Sequence, residues 1–167
     1  MAHDRLVGRE GSCLGRRPKK STAETEALGR SRGGFSTKIH VVCDALGNPL
    51  RLALTPGQAG DAPQAEPLLL PLMGERAEVR AILADKGYDG DALLERIALW
   101  QAEAVIPSKK NRKEQRLIDW ELYKDRNKVE CFIGRIKQYR RIATRYEKTA
   151  RNYLAMLHLV SSMVWLL

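Results

Sequence analysis

Two short segments in which apolar and polar positions alternate predict a β-hairpin early in the chain. Every second position of residues 37–43 is apolar, from Ile39 to Cys43, and residues 50–55 repeat the pattern. Between them, residues 44–49 (DALGNP) have the composition of a tight turn. We therefore expect two antiparallel strands joined by this turn.

Downstream, short apolar runs alternate with segments of helical periodicity. The runs at 79–84 and 104–106 predict buried strands. The segments with helical periodicity are 64–72, 92–101, 119–140 and 152–167. We expect Pro71 and Gly74 to end the first of these helices, and Asp89 or Asp91 to cap the second. This order of elements predicts an α/β domain with a mixed sheet flanked by helices.

Charge divides the chain into three blocks. Residues 1–38 hold nine Lys/Arg against four Asp/Glu, residues 39–107 hold five against ten, and residues 108–151 hold fifteen against six. The net charge of +9 favours nucleic acid as a partner, because Lys and Arg bind phosphates with little sequence preference. Residues 1–34 show neither strand nor helical periodicity, so we expect an irregular basic lead-in at 1–34 and the folded domain at 35–167.

Cysteine usage and the placement of apolar residues bear on the compartment. The three cysteines form no CxxC pair, which favours a reducing cytoplasm over a disulfide framework or a zinc site. Residues 1–17 lack the apolar run of a signal peptide. The apolar segment 153–167 is shorter than the roughly 20 residues of a membrane-spanning helix, so we expect a buried helix and no membrane partner.

Asp85 is the first candidate functional carboxylate. It follows the apolar run at 79–84 and precedes a turn that contains Gly87. Catalytic side chains in α/β folds collect at the carboxyl ends of strands, because the loops there open a crevice. A structural role as a helix cap or turn residue explains Asp85 on its own at least as well.

The helix predicted at 119–140 carries four polar side chains on one stripe. Tyr123, Arg126, Glu130 and Lys137 fall within an arc of about 60° on a helix that turns 100° per residue. The neighbouring arc is apolar and has the width of a face that packs on a sheet. It holds Leu122, Val129, Phe132, Ile133 and Ile136. A simple i, i+4 ion pair would explain Arg126 and Glu130, but not the other two members of the stripe.

Two strings of residues resemble those of a known protein family. The spacing Y-x2-R-x3-E-x6-K of this stripe is similar to the YREK signature of a group of bacterial insertion-sequence transposases of the DDE type, in the superfamily of insertion sequences four and five. The string ADKGYD at 84–89 resembles the motif of that group's second catalytic carboxylate, and residues 29–50 resemble the stretch that precedes it. The resemblance covers residues 28–167.

The resemblance implies an RNase H-like fold that cleaves and transfers DNA strands by a two-metal mechanism, with Mg²⁺ or Mn²⁺ ions about 3.5–4 Å apart. Carboxylate oxygens suit these hard cations, so Asp85 and Glu130 would be the catalytic metal ligands. Arg126 and Lys137 would contact phosphates or a displaced strand near the cleavage site. Tyr123 would pack against the DNA backbone or orient its neighbours.

A basic loop at 108–116 is a further candidate DNA contact. It contains Lys109, Lys110, Arg112 and Lys113, which we expect to follow a DNA backbone. A solvated loop without a partner would have the same composition.

The family needs three catalytic carboxylates, and only the second and third are recognisable in this chain. Asp4 has no strand-length apolar run before it, and Asp44 lies in the hairpin turn, where Asp serves turn geometry. We therefore expect an RNase H-like fold without its first strand, with unpaired backbone groups at a sheet edge. The isolated chain is then expected to be inactive.

An upstream reading frame joined by ribosomal frameshifting would supply the first Asp and a domain that binds transposon ends, although decay of a complete gene would look the same. The expected partners are DNA, as transposon ends and target, and either further copies of the chain or the upstream-frame product. The competing function is a non-catalytic DNA-binding fragment that inhibits a complete transposase. A nuclease of the same fold fits the Tyr/Arg/Glu/Lys stripe less well.

Overall fold

The computed structural model describes residues 2–7, 22, 25–31, 34–75 and 79–166. The strands in this part of the chain are β1 (Ala2–Val7), β2 (Gly29–Ser31), β3 (Gly34–Cys43), β4 (Pro49–Pro56), β5 (Ala81–Leu83) and β6 (Glu103–Val105). The helices are α1 (Ala65–Glu75), α2 (Asp91–Leu99), α3 (Trp120–Lys124), α4 (Asn127–Lys137), α5 (Arg140–Ala143) and α6 (Ala150–Leu166). Short 3₁₀ turns lie at Ala62–Gln64 and Lys86–Tyr88.

The long strand β3 is the centre of an antiparallel sheet. Strand β4 pairs with it from Thr37 to Cys43, which confirms the predicted hairpin. Strand β2 continues along β3 where β4 ends, with Gly29 opposite Ser36. Strand β1 pairs with Ser36 to Val41 of the same strand. Because an antiparallel residue has its two partners on opposite edges, β1 lies on the edge of β3 away from β2 and β4.

The N-terminal strands correct two expectations. Residues 1–34 are not irregular throughout, since β1 and β2 both lie within them. We expected a sheet edge with unpaired backbone groups, but β1 pairs with β3 on the side away from β4, and Asp4 lies opposite Ile39. Backbone pairing gives this strand its partner groups without a regular apolar alternation. Periodicity alone therefore missed both strands.

The second sheet is a parallel pair. Strand β5, helix α2 and strand β6 follow one another, and Ala81 to Leu83 pair in parallel with Glu103 to Val105. Among the described residues the parallel and antiparallel strands form two separate hydrogen-bonded sheets, where we expected one mixed sheet. The α/β class is confirmed.

Two apolar clusters lie on the two faces of the hairpin, because successive strand residues point to opposite sides. One face of β3 carries Ile39 and Val41 into a cluster with α4, α5 and α6. The other face carries Val42 into a cluster with α1, α2 and the parallel strands. Helix α6 buries Tyr153, Leu157, Val160, Ser161 and Val164, as expected of the apolar C-terminal segment. Among the described residues no helix has the length and apolarity to cross a membrane.

Two helix predictions need correction. Pro71 lies inside α1 and does not end it, because the buried leucines 68, 69 and 72 hold the helix against the core despite one missing hydrogen bond. The helix expected at 119–140 is divided. Asp119 caps α3, and the chain then passes through a tight turn with Arg126 N–H bonded to the Tyr123 carbonyl, three residues back. A second break at Tyr139, in extended conformation, precedes α5.

A buried arginine joins the N-terminal segment to the core. Arg145 is 8% exposed, and its guanidinium donates to Thr37 Oγ1 at 2.6 Å and to the Ala27 carbonyl at 3.4 Å. It also lies 5.2 Å from the centre of the Tyr153 ring. Burial lowers the pKa of Arg145. The Glu26 carboxylate accepts the Ala150 N–H at 2.7 Å, so the same segment also binds the start of α6.

We predict that Arg145→Met destabilises the protein by about 2–4 kcal/mol, because the buried Thr37 hydroxyl and the carbonyls of Glu147 and Lys148 lose the guanidinium that donates to them. Arg151→Met, at an exposed position of α6, is the control and should change the free energy of unfolding by less than about 0.5 kcal/mol. Urea denaturation of both variants measures the difference. Equal stabilities for the two variants would contradict the assigned role of Arg145.

Candidate active site

Asp85 follows β5 and shapes the turn after it. Its Oδ1 accepts the Gly87 N–H at 2.6 Å and caps the turn Lys86–Tyr88, so the structural role considered from the sequence is present. A Cβ at Gly87 would lie 2.7 Å from the same oxygen, which explains why the turn has glycine there. The turn therefore brings the chain tightly around one side of the carboxylate.

An open cleft adjoins this carboxylate. Its volume is about 470 Å³, and it is lined by Asp85, Lys86, Gly87, Lys109 and Lys110. The lysines are exposed, and Asp85 is half-buried. The sequence separates Asp85 from the basic loop by more than twenty residues, and the structure brings them together. A carboxylate beside several cations can meet both a divalent ion and a phosphate.

Asp89 holds the basic loop beside that cleft. Its side chain is fully buried and accepts the Lys109 N–H at 2.7 Å, Arg112 Nε at 3.1 Å and Arg116 Nη2 at 2.7 Å. We expected Asp89 or Asp91 to cap α2, but the residue at the cap is Gly90, with no side-chain cap. The sequence pattern predicted an acidic helix cap at this position, but it does not show that Asp89 binds residues 109–116.

The pKa of Asp89 follows from these contacts. Burial alone would raise it, but the hydrogen bonds from the Lys109 N–H, Arg116 and Arg112 outweigh burial and lower the pKa to about 2. A lowered carboxyl pKa means that these hydrogen bonds stabilise the fold above the unfolded-state pKa of about 4, and that this stabilisation disappears as the pH falls toward 2. Asp89 therefore remains ionised throughout the neutral range.

The partners of Asp89 sort the cations of the basic loop into two groups. Arg112 and Arg116 point inward to Asp89, and Arg112 also bonds Asp91 at 2.6 Å. Lys109, Lys110 and Lys113 are exposed. Arg112, which we expected to follow a DNA backbone, is bound to Asp89 and Asp91 in this structure, whereas the three lysines are not bound to Asp89 through their side chains.

One further carboxylate with a distant partner was overlooked in the sequence. Asp61, in the loop after β4, pairs at 2.8 Å with the buried Lys38 of β3. Burial raises the pKa of the Tyr88 phenol, and the charges of Asp61 and Asp85 raise it further. The signal in the sequence was Lys38 itself, a lysine within a strand whose buried charge needs a partner. Asp44, by contrast, accepts the Leu46 and Asn48 N–H groups, which confirms its structural role in the hairpin turn.

The polar stripe is assembled in part. Arg126 lies 5.7 Å from the centre of the Tyr123 ring and 2.7 Å from Glu130 Oε1. Lys137 is the last residue of α4, about two turns beyond Glu130. The apolar face of α4 is buried as predicted, through Val129, Phe132, Ile133 and Ile136. The Glu130 side chain is 51% exposed, so it is not enclosed in the core.

Asp85 and Glu130 have different partners in the structure. Asp85 caps its turn, whereas Glu130 forms the i, i+4 ion pair considered as the simpler explanation. In the described part of the chain, no group of three or more His, Cys, Asp or Glu side chains lies close enough to hold a metal ion. The oxygen donors of both residues still match the chemistry of Mg²⁺ or Mn²⁺, and both are accessible.

Comparison with known proteins gives a consistent result. Residues 15–165 match the family described as "Transposase DDE domain". The chain is 46% identical over 133 residues to a protein of Brucella ovis named "Putative transposase for insertion sequence element IS6501", and the match covers 79% of this chain and 99% of that protein. No solved structure matches the chain. This chain therefore belongs to the family of transposases with a DDE domain, as does the Brucella ovis protein, which is named for an insertion sequence element.

Proposed function

We propose that this chain is the catalytic portion of an insertion-sequence transposase of the YREK group, with an RNase H-like fold, and that it cleaves and joins DNA through Asp85 and Glu130. The observation that supports the proposal most directly is the cleft at the end of β5, where Asp85 lies beside Lys86, Lys109 and Lys110. A phosphodiester that enters it meets cations on both sides of an accessible carboxylate.

Each site residue has a role in this proposal. Two divalent ions, Mg²⁺ or Mn²⁺, would activate water or a DNA 3′-hydroxyl and stabilise the leaving oxygen. Asp85 and Glu130 would hold these ions. Arg126, which pairs with Glu130 and lies over the Tyr123 ring in this structure, would contact a phosphate, and Tyr123 would orient its guanidinium.

The remaining cations extend the DNA path. Lys137 would meet the backbone further along α4, and Lys109 and Lys110, which line the same cleft as Asp85, would meet it there. The partners are transposon ends and target DNA in the cytoplasm, together with further copies of the chain or an upstream-frame product. The first catalytic carboxylate would come from the upstream-frame product, so we expect the isolated chain to be inactive.

A second function, non-catalytic DNA binding with inhibition of a complete transposase, is favoured by one observation. Glu130 pairs with Arg126, and in the part of the chain that the structure describes no group of three or more His, Cys, Asp or Glu side chains could hold a metal ion. The catalytic function requires Mn²⁺ to bind at Asp85 and Glu130 and requires DNA cleavage in the assembled protein, whereas the non-catalytic function requires neither.

A Mn²⁺ titration followed by electron paramagnetic resonance tests the metal ligands. We expect Asp85→Asn and Glu130→Gln each to weaken binding about tenfold, equivalent to about 1.4 kcal/mol. Arg126→Ala should strengthen binding, because it removes the cation that competes for Glu130. Glu121→Gln, which removes an exposed partner of Lys124, is the control and should leave affinity unchanged. Equal affinities in all five proteins would favour the non-catalytic function.

Cleavage of the element's own DNA ends in Mg²⁺ tests the inactivity of the isolated chain. We expect no cleavage by this chain alone, and cleavage once the upstream-frame product is added. Mg²⁺-dependent cleavage by the chain alone that Asp85→Ala abolishes would contradict this expectation. If the chain alone does cleave DNA, loss of that cleavage in Asp4→Asn would show that Asp4, on β1, serves as the first catalytic carboxylate.

The salt dependence of DNA affinity tests the lysines of the cleft. DNA affinity decreases with salt, and by salt slope we mean the steepness of that decrease, the absolute slope of log affinity against log salt. This steepness falls by about 0.9 for each duplex phosphate that the protein ceases to neutralise. Lys109→Ala with Lys110→Ala should therefore lower the slope by up to about 1.8. Lys124→Ala, already paired with Glu121, should leave the slope unchanged. A slope unaffected by removal of both cleft lysines would exclude the basic loop from the DNA path.

A further inference from the structure

The Asp89 side chain is buried, and the hydrogen-bond donors that the structure shows for it all belong to the basic loop. The side chain has no exposed surface, and its three hydrogen bonds come from Lys109, Arg112 and Arg116. A buried carboxylate without partners is strongly destabilising, so these hydrogen bonds are obligatory as long as Asp89 stays inside. The acidic turn and the basic loop are therefore joined into one unit.

The basic loop has little other support. Between β6 and α3 the chain has no helix or strand, and its internal bonds are short-range, such as Arg116 N–H to Ser108 Oγ at 3.0 Å and Gln115 Nε2 to the Arg112 carbonyl at 2.9 Å. The described ion pairs that tie it to a distant part of the sequence go to Asp89 and to the exposed Asp91. Of these two carboxylates, Asp89 is the one shielded from solvent, so it is the stronger anchor.

The position of this anchor decides what faces Asp85. Asp85 and Asp89 lie at the two ends of the same short turn, Lys86–Tyr88. Asp89 binds the backbone N–H of Lys109 itself, so the loop is held at the residue whose side chain lines the cleft. The two arginines are drawn inward, which leaves the lysines on the cleft side.

We propose that Asp89 is a positioning residue, which fixes the basic loop so that Lys109 and Lys110 meet a DNA phosphate beside Asp85. It touches neither DNA nor metal and acts through the two lysines. The inference rests on the proposed function, because it takes the cleft as the place where DNA phosphate binds. It assigns Arg112 and Arg116 to the anchor and removes them from the DNA interface.

Fluorescence anisotropy of the full chain with a short DNA duplex, over a series of salt concentrations, tests the proposal. Asp89→Asn should lower the salt slope by as much as the paired lysine substitutions, up to about 1.8. Adding Asp89→Asn to the lysine variant should lower the slope no further, because both changes act on the same phosphate interactions. Asp91→Asn, which removes only an exposed partner of Arg112, is the matched control and should keep the wild-type slope.

Hydrogen exchange at the Lys109 amide provides the structural readout. Its protection should disappear in Asp89→Asn, while protection of β5 and α2 stays as in the wild type. If Asp89→Asn does not fold, Arg116→Met alone removes one of the three hydrogen bonds, leaves Asp89 two donors and should lower the slope in part. A slope that stays at the wild-type value after removal of the anchor would overturn the proposal. So would a slope that rises, because it would mean that the released arginines bind DNA.

The lysine variant separates this inference from the function on which it rests. If the lysine substitutions lower the slope and Asp89→Asn does not, the positioning role alone is wrong. If the lysine substitutions leave the slope unchanged, the cleft is not a DNA site, and both the proposed DNA path and the role of Asp89 are overturned.

Discussion

The arrangement of the candidate site depends on compensating one buried negative charge. The Asp89 carboxylate is shielded from solvent, so it requires donors that remain in place. The chain supplies them from a segment about twenty residues away, and in doing so brings a cluster of lysines to the end of β5. The hydrogen bonds of Asp89 thus place the basic loop beside Asp85. The positive charge that lines the cleft comes from lysine side chains, which do not pair with Asp89.

The hairpin and the helical faces were predictable because their signals are local. Alternation at 37–43 and the turn chemistry of Asp44 specify the hairpin, and the apolar stripe of α4 specifies the face that packs on it. Strands β1 and β2 were not predictable, because an edge strand is held by backbone pairing and needs no apolar period. The division of the helix predicted at 119–140 was not predictable either, because the residues on both sides of the turn have helical periodicity and the turn itself contains neither proline nor glycine.

The site shows the same contrast between local and long-range interactions. Asp85 was identified from its place after an apolar run, and the arrangement of Tyr123, Arg126 and Glu130 follows from helical spacing. The partners of Asp89, and the pairing of Asp61 with Lys38, join parts of the chain that are twenty or more residues apart. Composition identified the loop as basic, but the sequence does not tell which of its cations are bound internally.

The proposed function requires Asp85 and Glu130 to hold divalent ions together, although Glu130 pairs with Arg126 in this structure. Anomalous diffraction from crystals grown with Mn²⁺ and DNA would locate these ions. We expect Mn²⁺ coordinated by carboxylate oxygens of both residues, with Arg126 turned to a phosphate. Mn²⁺ at Asp85 alone, with Glu130 still bound to Arg126, would contradict this expectation.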